Sequence, residues 1–449
     1  MILNKEESTM NRATTILDIP KVTEPTPLAG DELKAFYVPA DSARDSMIPP
    51  TVELRDRLRE ARAPLKLLFA SHPGAGKSTE LNRLMAEESG SFLFAWFSLD
   101  QELDRYNVTY IDLILALMET LYRTGKANNL IRDKRVIEPV RTWLQEVVRE
   151  SQIKRQEDLK VEAGGGLDGL LAQIVGLQAA LRSAFSLSHE SAKTVRQVLR
   201  PRIAELRGYC NQVIVEISKH LMPQDRHLVM VVEDTDKLDI DVAREVFVEH
   251  TGVLADFNTS IIYTVPLPLI HSPDGRRLRS RFETLTLPMI KIHNPRGERV
   301  EKGWQTLCEI VSRRLDIENL MDTEALNLAI EKTGGILRDL LAIIRDASAV
   351  ARYRNAPRIS VEAVHASLDR LKMEYRNSIR GRGEVSTEEL YQCMVQIAQT
   401  PSKQVPVNPA LMLLLYTQAV VEYNGRGWYD LHPLMRDALY EMGYLDGLA

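Results

Sequence analysis

Residues 65–79, LKLLFASHPGAGKST, pass from an apolar stretch directly into a Gly-rich loop ending in Lys-Ser-Thr, the order of groups that a phosphate-binding loop needs. Glycines let successive backbone N–H groups turn inward around phosphate oxygens. A lysine adds a point charge towards the β- and γ-phosphates, and a serine hydroxyl helps to hold Mg²⁺. The residues expected at the ligand are Gly74, Ala75, Gly76, Lys77, Ser78 and Thr79, with Ser78 also at the metal. The usual pattern begins with a glycine where this chain has Ser71, so one glycine of the motif is missing. A β-type run precedes the loop and a helix-forming run, Glu80 to Ala86, follows it, which is the context that such a loop requires.

A phosphate loop of this kind works with carboxylates at the end of a neighbouring buried strand, one for Mg²⁺ and one to orient an attacking water. Leu228 to Val232 is apolar at every position and ends in Glu233-Asp234-Thr235-Asp236-Lys237. A strand apolar throughout is buried on both faces, and open α/β sheets bind ligands at the carboxyl ends of such strands. Two registers fit the acids. In one, Glu233 supports Mg²⁺ with Ser78 and Asp234 is the base; in the other, those roles pass to Asp234 and Asp236.

Two further positions have chemical potential. Thr264, in the strand-like run Ser260 to Val265, stands where a polar side chain can sense a γ-phosphate, although threonine also suits a strand for its β-propensity alone. Arg276 to Arg281 holds four arginines in six residues. On a solvated loop this is ordinary charge; in an ATPase that assembles, Arg281 just before the last strand can reach a nucleotide bound to a neighbouring copy.

The elements that must position these groups are legible as alternation. Thr51 to Ala61 reads as a charged amphipathic helix, Ser91 to Leu99 as a second strand, Asp112 to Tyr122 as a helix, and Leu285 to Ile292 as a last strand. Five strands alternating with helices imply an α/β fold with a parallel sheet covered on both faces. Residues 1 to about 45 are Pro-containing and read as an extended leader without a part in catalysis. Residues 124 to 226 exceed what one crossover needs and read as a helical insertion. Within it, Gly164-Gly165-Gly166 precedes a run of leucines near helical period, either a helix covering the core or a docking helix.

The chain has 449 residues, 44% of them hydrophobic, and a net charge of −5, which gives no global basic field for nucleic acid or anionic membrane. Its three cysteines lack paired or metal-ligand spacing, as in a reducing compartment. The N-terminus lacks an apolar signal core and the longest apolar run, Ala410 to Val421, is too short to span a bilayer, so a cytoplasmic protein without membrane partners is expected.

The loop at Ser71 to Thr79, the VVEDTDKL strand end, the SRFE segment and Gly334-Gly335-Ile336-Leu337-Arg338-Asp339 together resemble an AAA+ or STAND-type P-loop ATPase, from about residue 45 to the C-terminus. The resemblance implies ATP and Mg²⁺ as ligands. It also implies a helical lid over 296–383 whose Arg338 contacts the phosphates as a second sensor, after an ATPase core over 46–295. Arg338 falls in the first turn of a helix, where a cation opposes the dipole unless it serves another partner. Glu233 stands where such ATPases carry Asp, which with Ser71 puts the hydrolysis rate in question more than binding.

From about Glu384, two short helices precede two β-rich runs flanking Asn424-Gly425, a hairpin signal. This resembles a winged-helix domain over 384–449, either a DNA binder or a packing module. From Glu388 onward seven acids face three bases, which favours protein contacts. The preceding linker, with Arg370, Lys372, Arg376, Arg380 and Arg382, is basic enough to reach a nucleic acid, and His432 facing the lid would suit a nucleotide-dependent switch. The family resemblance implies a switch binding ATP or ADP and slowly hydrolysing ATP, which assembles with itself or an effector partner as in bacterial antiviral-defence ATPases. Alternatives are a DNA-associated, Orc/Cdc6-like loader or initiator, or a nucleotide-binding scaffold without turnover.

Overall fold

The computed structural model describes residues 11–44, 47–159, 189–423 and 427–446. Five strands form one parallel sheet: β1 (Lys66–Ser71), β2 (Phe92–Ser98), β3 (His227–Glu233), β4 (Ser260–Pro266) and β5 (Glu283–Thr286), in the spatial order β2-β3-β4-β1-β5. In β1, Leu68 and Ala70 face one apolar cluster while Leu67 and Phe69 face another, and all four are fully buried. This two-sided burial explains the unbroken apolar run, since each face of the strand is covered. The register pairs Leu68 with Tyr263 and Ser98 with Glu233, which brings the carboxyl ends of β1, β3 and β4 to one edge.

The last strand is shorter than the expected Leu285 to Ile292. Leu287 N–H still donates to Ala70 O at 2.9 Å, but Pro288 has no N–H with which to continue the ladder. Beyond the strand, Leu287 and Met289 stay in the cluster of Leu67 and Phe69, while Ile290 and Ile292 enter the cluster of the helix Glu301–Arg314.

The expected insertion is helical where described. His189–Leu199 and Ile203–Leu221 pack beside the helix Tyr110–Ala127, Lys134–Leu159 packs on those two, and Trp143 Nε1 donates to Glu205 Oε2 at 2.6 Å. Gly164 to Gly166 and the leucine run after them lie outside the described residues.

The leader departs from the extended segment expected of it. It forms short helices at Ile19–Val22, Asp31–Phe36 and Asp41–Arg44, and Ala13, Ile16 and Ile19 enter a large apolar cluster with the helices Glu301–Arg314, Thr323–Thr333, Leu337–Tyr353 and Val361–Ser378. The same cluster includes the C-terminal helices Thr387–Gln399, Pro409–Tyr416 and Pro433–Glu441 and the antiparallel pair β6 (Val420–Glu422) and β7 (Tyr429–Leu431). The Asn424-Gly425 turn between them lies outside the described residues.

Gly335 links two of these helices at φ +86°, and a Cβ there would lie 2.2 Å from the Ile290 carbonyl oxygen. Gly297 has a similar φ of +80° with nothing within 4 Å of its Cβ position. Backbone strain alone costs about 1–2 kcal/mol at a left-handed position. Gly335→Ala is therefore expected to lower unfolding free energy in urea by at least about 1 kcal/mol more than Gly297→Ala, the excess being the clash; equal losses would mean that residue 290 yields freely.

Candidate functional site

The loop from β1 to the helix Lys77–Glu87 turns at Gly74 (φ +82°) and Gly76 (φ +93°). Gly74 has a second reason to lack a side chain, because a Cβ there would come within 2.7 Å of Arg338 Cβ. Ser71, in place of the missing glycine, is the last residue of β1, paired with Pro266, and its backbone does not adopt positive φ. An extended residue needs no glycine, so the departure leaves the loop intact.

Lys77 is buried, and its Nζ donates to Asp236 Oδ2 at 2.6 Å. Burial pushes the Asp236 carboxyl up, but Lys77, with help from the Thr264 hydroxyl, outweighs it and holds the group below the usual carboxylate range. Thr264 also lies within 3.4 Å of the Thr235 hydroxyl, and its carbonyl accepts a hydrogen bond from that hydroxyl. It therefore joins β4 to the acidic turn.

Glu233 ends β3 and is buried, with Oε2 accepting from Trp96 Nε1 at 2.9 Å. Burial raises its pKa, opposed by Trp96, Lys77 and the nearby Ser78 hydroxyl. Its Oε1 is buried without a hydrogen-bond partner among the described residues. A buried, unpaired carboxylate oxygen beside the loop serine is a donor set suited to Mg²⁺, either directly or through water.

Asp234 is oriented differently. Its backbone is left-handed at φ +65°, Oδ2 accepts from the Ser98 hydroxyl, and Oδ1 lies 2.7 Å from Lys237 Nζ. Lys77, Ser78, Asp236 and Lys237 line a cavity beside the loop, whereas Glu233, Asp234 and Thr264 do not.

Arg338 lines this cavity, and its backbone N–H reaches Gly74 O at 3.4 Å. Thr79 faces the leader, accepting from Leu28 N–H at 3.1 Å. The carbonyl of Ala75 accepts from Arg44 at 2.7 Å. Arg281 is exposed and does not line the cavity, so within one chain it stays apart from the other candidate residues.

Several groups at this site had no signal in local sequence pattern. The leader supplies Phe36, Val38 and Ala40 to the apolar wall of the cavity, and Arg44, whose buried guanidinium bridges Ala75 O and Pro288 O. Burial lowers the Arg44 pKa, opposed by Glu80. His72, inside the loop itself, is buried and accepts from the backbone N–H of Glu422 at 2.8 Å, while Gln418 donates to Pro73 O at 2.8 Å. Glu422 in turn lies 2.7 Å from His271 Nε2. The C-terminal ribbon is thus seated on the phosphate loop. His432 faces helix Leu337–Tyr353, with Nε2 3.4 Å from Asp339 Oδ2, and stacks on Tyr375; it does not line the cavity.

The fold and loop define an α/β protein of the P-loop type: a parallel sheet carrying a phosphate loop after its first strand and acids after a neighbouring one. No protein-family model matches the chain, and no curated protein matches it. Among solved structures, the Aeropyrum pernix ORC1 protein in complex with DNA is similar at 13% identity and TM-score 0.38, over 95% of this chain and 97% of that one. The Thermotoga maritima RuvB Holliday junction branch migration motor is similar at 11% identity and TM-score 0.39, over 95% and 100%. Drosophila ORC bound to DNA is similar at 10% identity and TM-score 0.41, over 100% and 84%. Among the described residues, no helix is long and apolar enough to cross a membrane.

Burial lowers the His72 pKa from 6.5 to about 4, so the folded chain keeps this ring neutral. Below about pH 6.5 an unfolded histidine takes up a proton that the folded one refuses until near 4, so acidification across that window favours unfolding. Between about pH 7 and about pH 5 the wild type is expected to lose on the order of 2 kcal/mol more than His72→Gln in urea unfolding. Equal losses in the two proteins would contradict a neutral, buried His72.

Proposed function

We propose that the chain is an ATP-dependent molecular switch of the AAA+ type with slow phosphohydrolase activity. Lys77 and the loop amides bind the phosphates, Ser78 and Glu233 hold Mg²⁺, and Asp234 orients the attacking water once released from its present partners. When bound, Mg²⁺ neutralises charge developing on the β- and γ-phosphate oxygens. Arg338 approaches the phosphates from the lid, and Arg281 serves a nucleotide on a neighbouring copy.

The observation that carries the switch reading is the hydrogen bond from Glu422 N–H to His72, inside the phosphate loop. A change of loop conformation on nucleotide binding is transmitted to the ribbon through this contact, and through Gln418 on Pro73. Two further links involve the lid, one from the ribbon to it and one from its end to the core. Tyr423 OH donates to Gly334 O at 2.9 Å in the turn before Arg338, and Arg382 is bidentate to Asp239 at 2.7 Å just after the acidic turn.

A DNA-associated loader or initiator is the second reading, supported by the basic linker. Arg370 pairs with Asp346, Lys372 and Arg376 with Glu441, and Arg382 with Asp239, so a duplex would have to displace carboxylates to recruit these side chains. Salt-sensitive duplex binding that vanishes on neutralising Arg376, Arg380 and Arg382 would favour it over assembly with protein partners alone.

Two measurements test the proposal. Lys77→Ala is expected to weaken ATP binding by about a hundredfold, about 2.7 kcal/mol, and to abolish any ATP-driven mass increase in mass photometry. Unchanged affinity would place the phosphates elsewhere. Asp234→Asn is expected to lower the rate of phosphate release by about a hundredfold or more while ATP still binds; an unaltered rate would point to a scaffold without Asp234-dependent turnover.

A further inference from the structure

The acidic turn holds a cation that the reading above leaves without a role. Lys237 Nζ lies 2.7 Å from Asp234 Oδ1 and 2.8 Å from Asp100 Oδ2, so it bridges the end of β3 to the segment just after β2. With Ser98 donating to the other oxygen, both oxygens of Asp234 are engaged. The Asp234 backbone is itself left-handed at φ +65°, an unfavourable state for a residue with a side chain. Backbone, hydroxyl and ammonium thus fix one direction for this carboxylate, which does not line the cavity that Lys77, Asp236 and Lys237 line.

We propose that Lys237 is a positioning residue that restrains hydrolysis by holding Asp234 in an unproductive direction, with Asp100 as its anchor. This rests on the reading of the site as an ATPase with Asp234 as water-orienting base. A carboxylate whose two oxygens are held by an ammonium and a hydroxyl is unavailable to orient water. Lys237 also lines the cavity, so phosphates arriving beside Lys77 compete with Asp234 for its charge. Nucleotide binding then loosens the restraint only as far as the phosphates outbid Asp100 and Asp234 together. Turnover is slow for that reason, and any contact that draws Lys237 aside accelerates it.

The test compares wild type, Lys237→Met, Lys237→Arg, Asp100→Asn and the double variant Lys237→Met with Asp234→Asn, each assayed for ATP binding, thermal midpoint and single-turnover phosphate release. At saturating ATP, Lys237→Met is expected to raise the single-turnover rate by about tenfold even where ATP affinity falls with the loss of the ammonium, and Asp100→Asn to raise it less. Lys237→Arg restores the low rate, and the double variant loses the gain, which shows that the gain runs through Asp234. A Lys237→Met protein that is folded and binds ATP, yet turns over no faster than wild type, overturns the proposal. A gain that survives Asp234→Asn overturns it too. Failure of the wild type to bind ATP in a Lys77-dependent way is a separate result, and it removes the ATPase reading itself.

Discussion

Lys77 and Asp236 form an ion pair that is almost wholly withdrawn from water, with side chains 5% and 6% exposed. Two charges in such a place are tolerated only when each satisfies the other, because the desolvation of either alone costs several kcal/mol. The pair therefore fixes the distance between the phosphate loop and the turn after β3. Thr264 and Thr235 extend the link to β4, and Trp96 on Glu233 extends it to β2. Four strand ends are bound into one rigid edge by a chain that begins at a single ammonium. In the proposed function that ammonium also has to serve phosphate, so ligand and Asp236 compete for one cation, and the edge cannot remain as it is when the ligand arrives.

That coupling gives the surrounding structure its meaning. The leader reaches the loop through Arg44 on Ala75, and the C-terminal ribbon reaches it through Glu422 and Gln418 on His72 and Pro73. The three contacts are made to backbone or to a neutral ring, and those of Arg44 and Glu422 are buried, where an unmade hydrogen bond is costly. The loop is thus held from its two flanks by segments more than 25 residues before it and more than 300 after it.

The sheet was legible because its signals are local. A strand buried on both faces is apolar at nearly every step, so β1, β3 and β4 announce themselves within six or seven residues, and the Gly-rich loop and the acids follow directly from the ends of β1 and β3. Even the apparent defect at Ser71 resolves locally, since an extended residue has no need of glycine. The flanking contacts were not legible in the same way. Arg44 lies in a Pro-containing stretch without periodicity, and His72 occupies a variable place in the loop motif; their partners are set by tertiary packing. Lys237 reads in sequence as one more charge after a cluster of acids, and only the register of β2 beside β3 brings Asp100 within reach of it.

The central claim is that the phosphate loop and the C-terminal ribbon respond together. Hydrogen–deuterium exchange with and without ATP and Mg²⁺, on wild type and on Lys77→Ala, tests it most directly. The account predicts that residues 72–78 gain protection on adding ATP while residues 418–423 lose it, and that neither change occurs in Lys77→Ala. Protection of the loop with no change at the ribbon would contradict it and leave the site as a nucleotide holder without a switch.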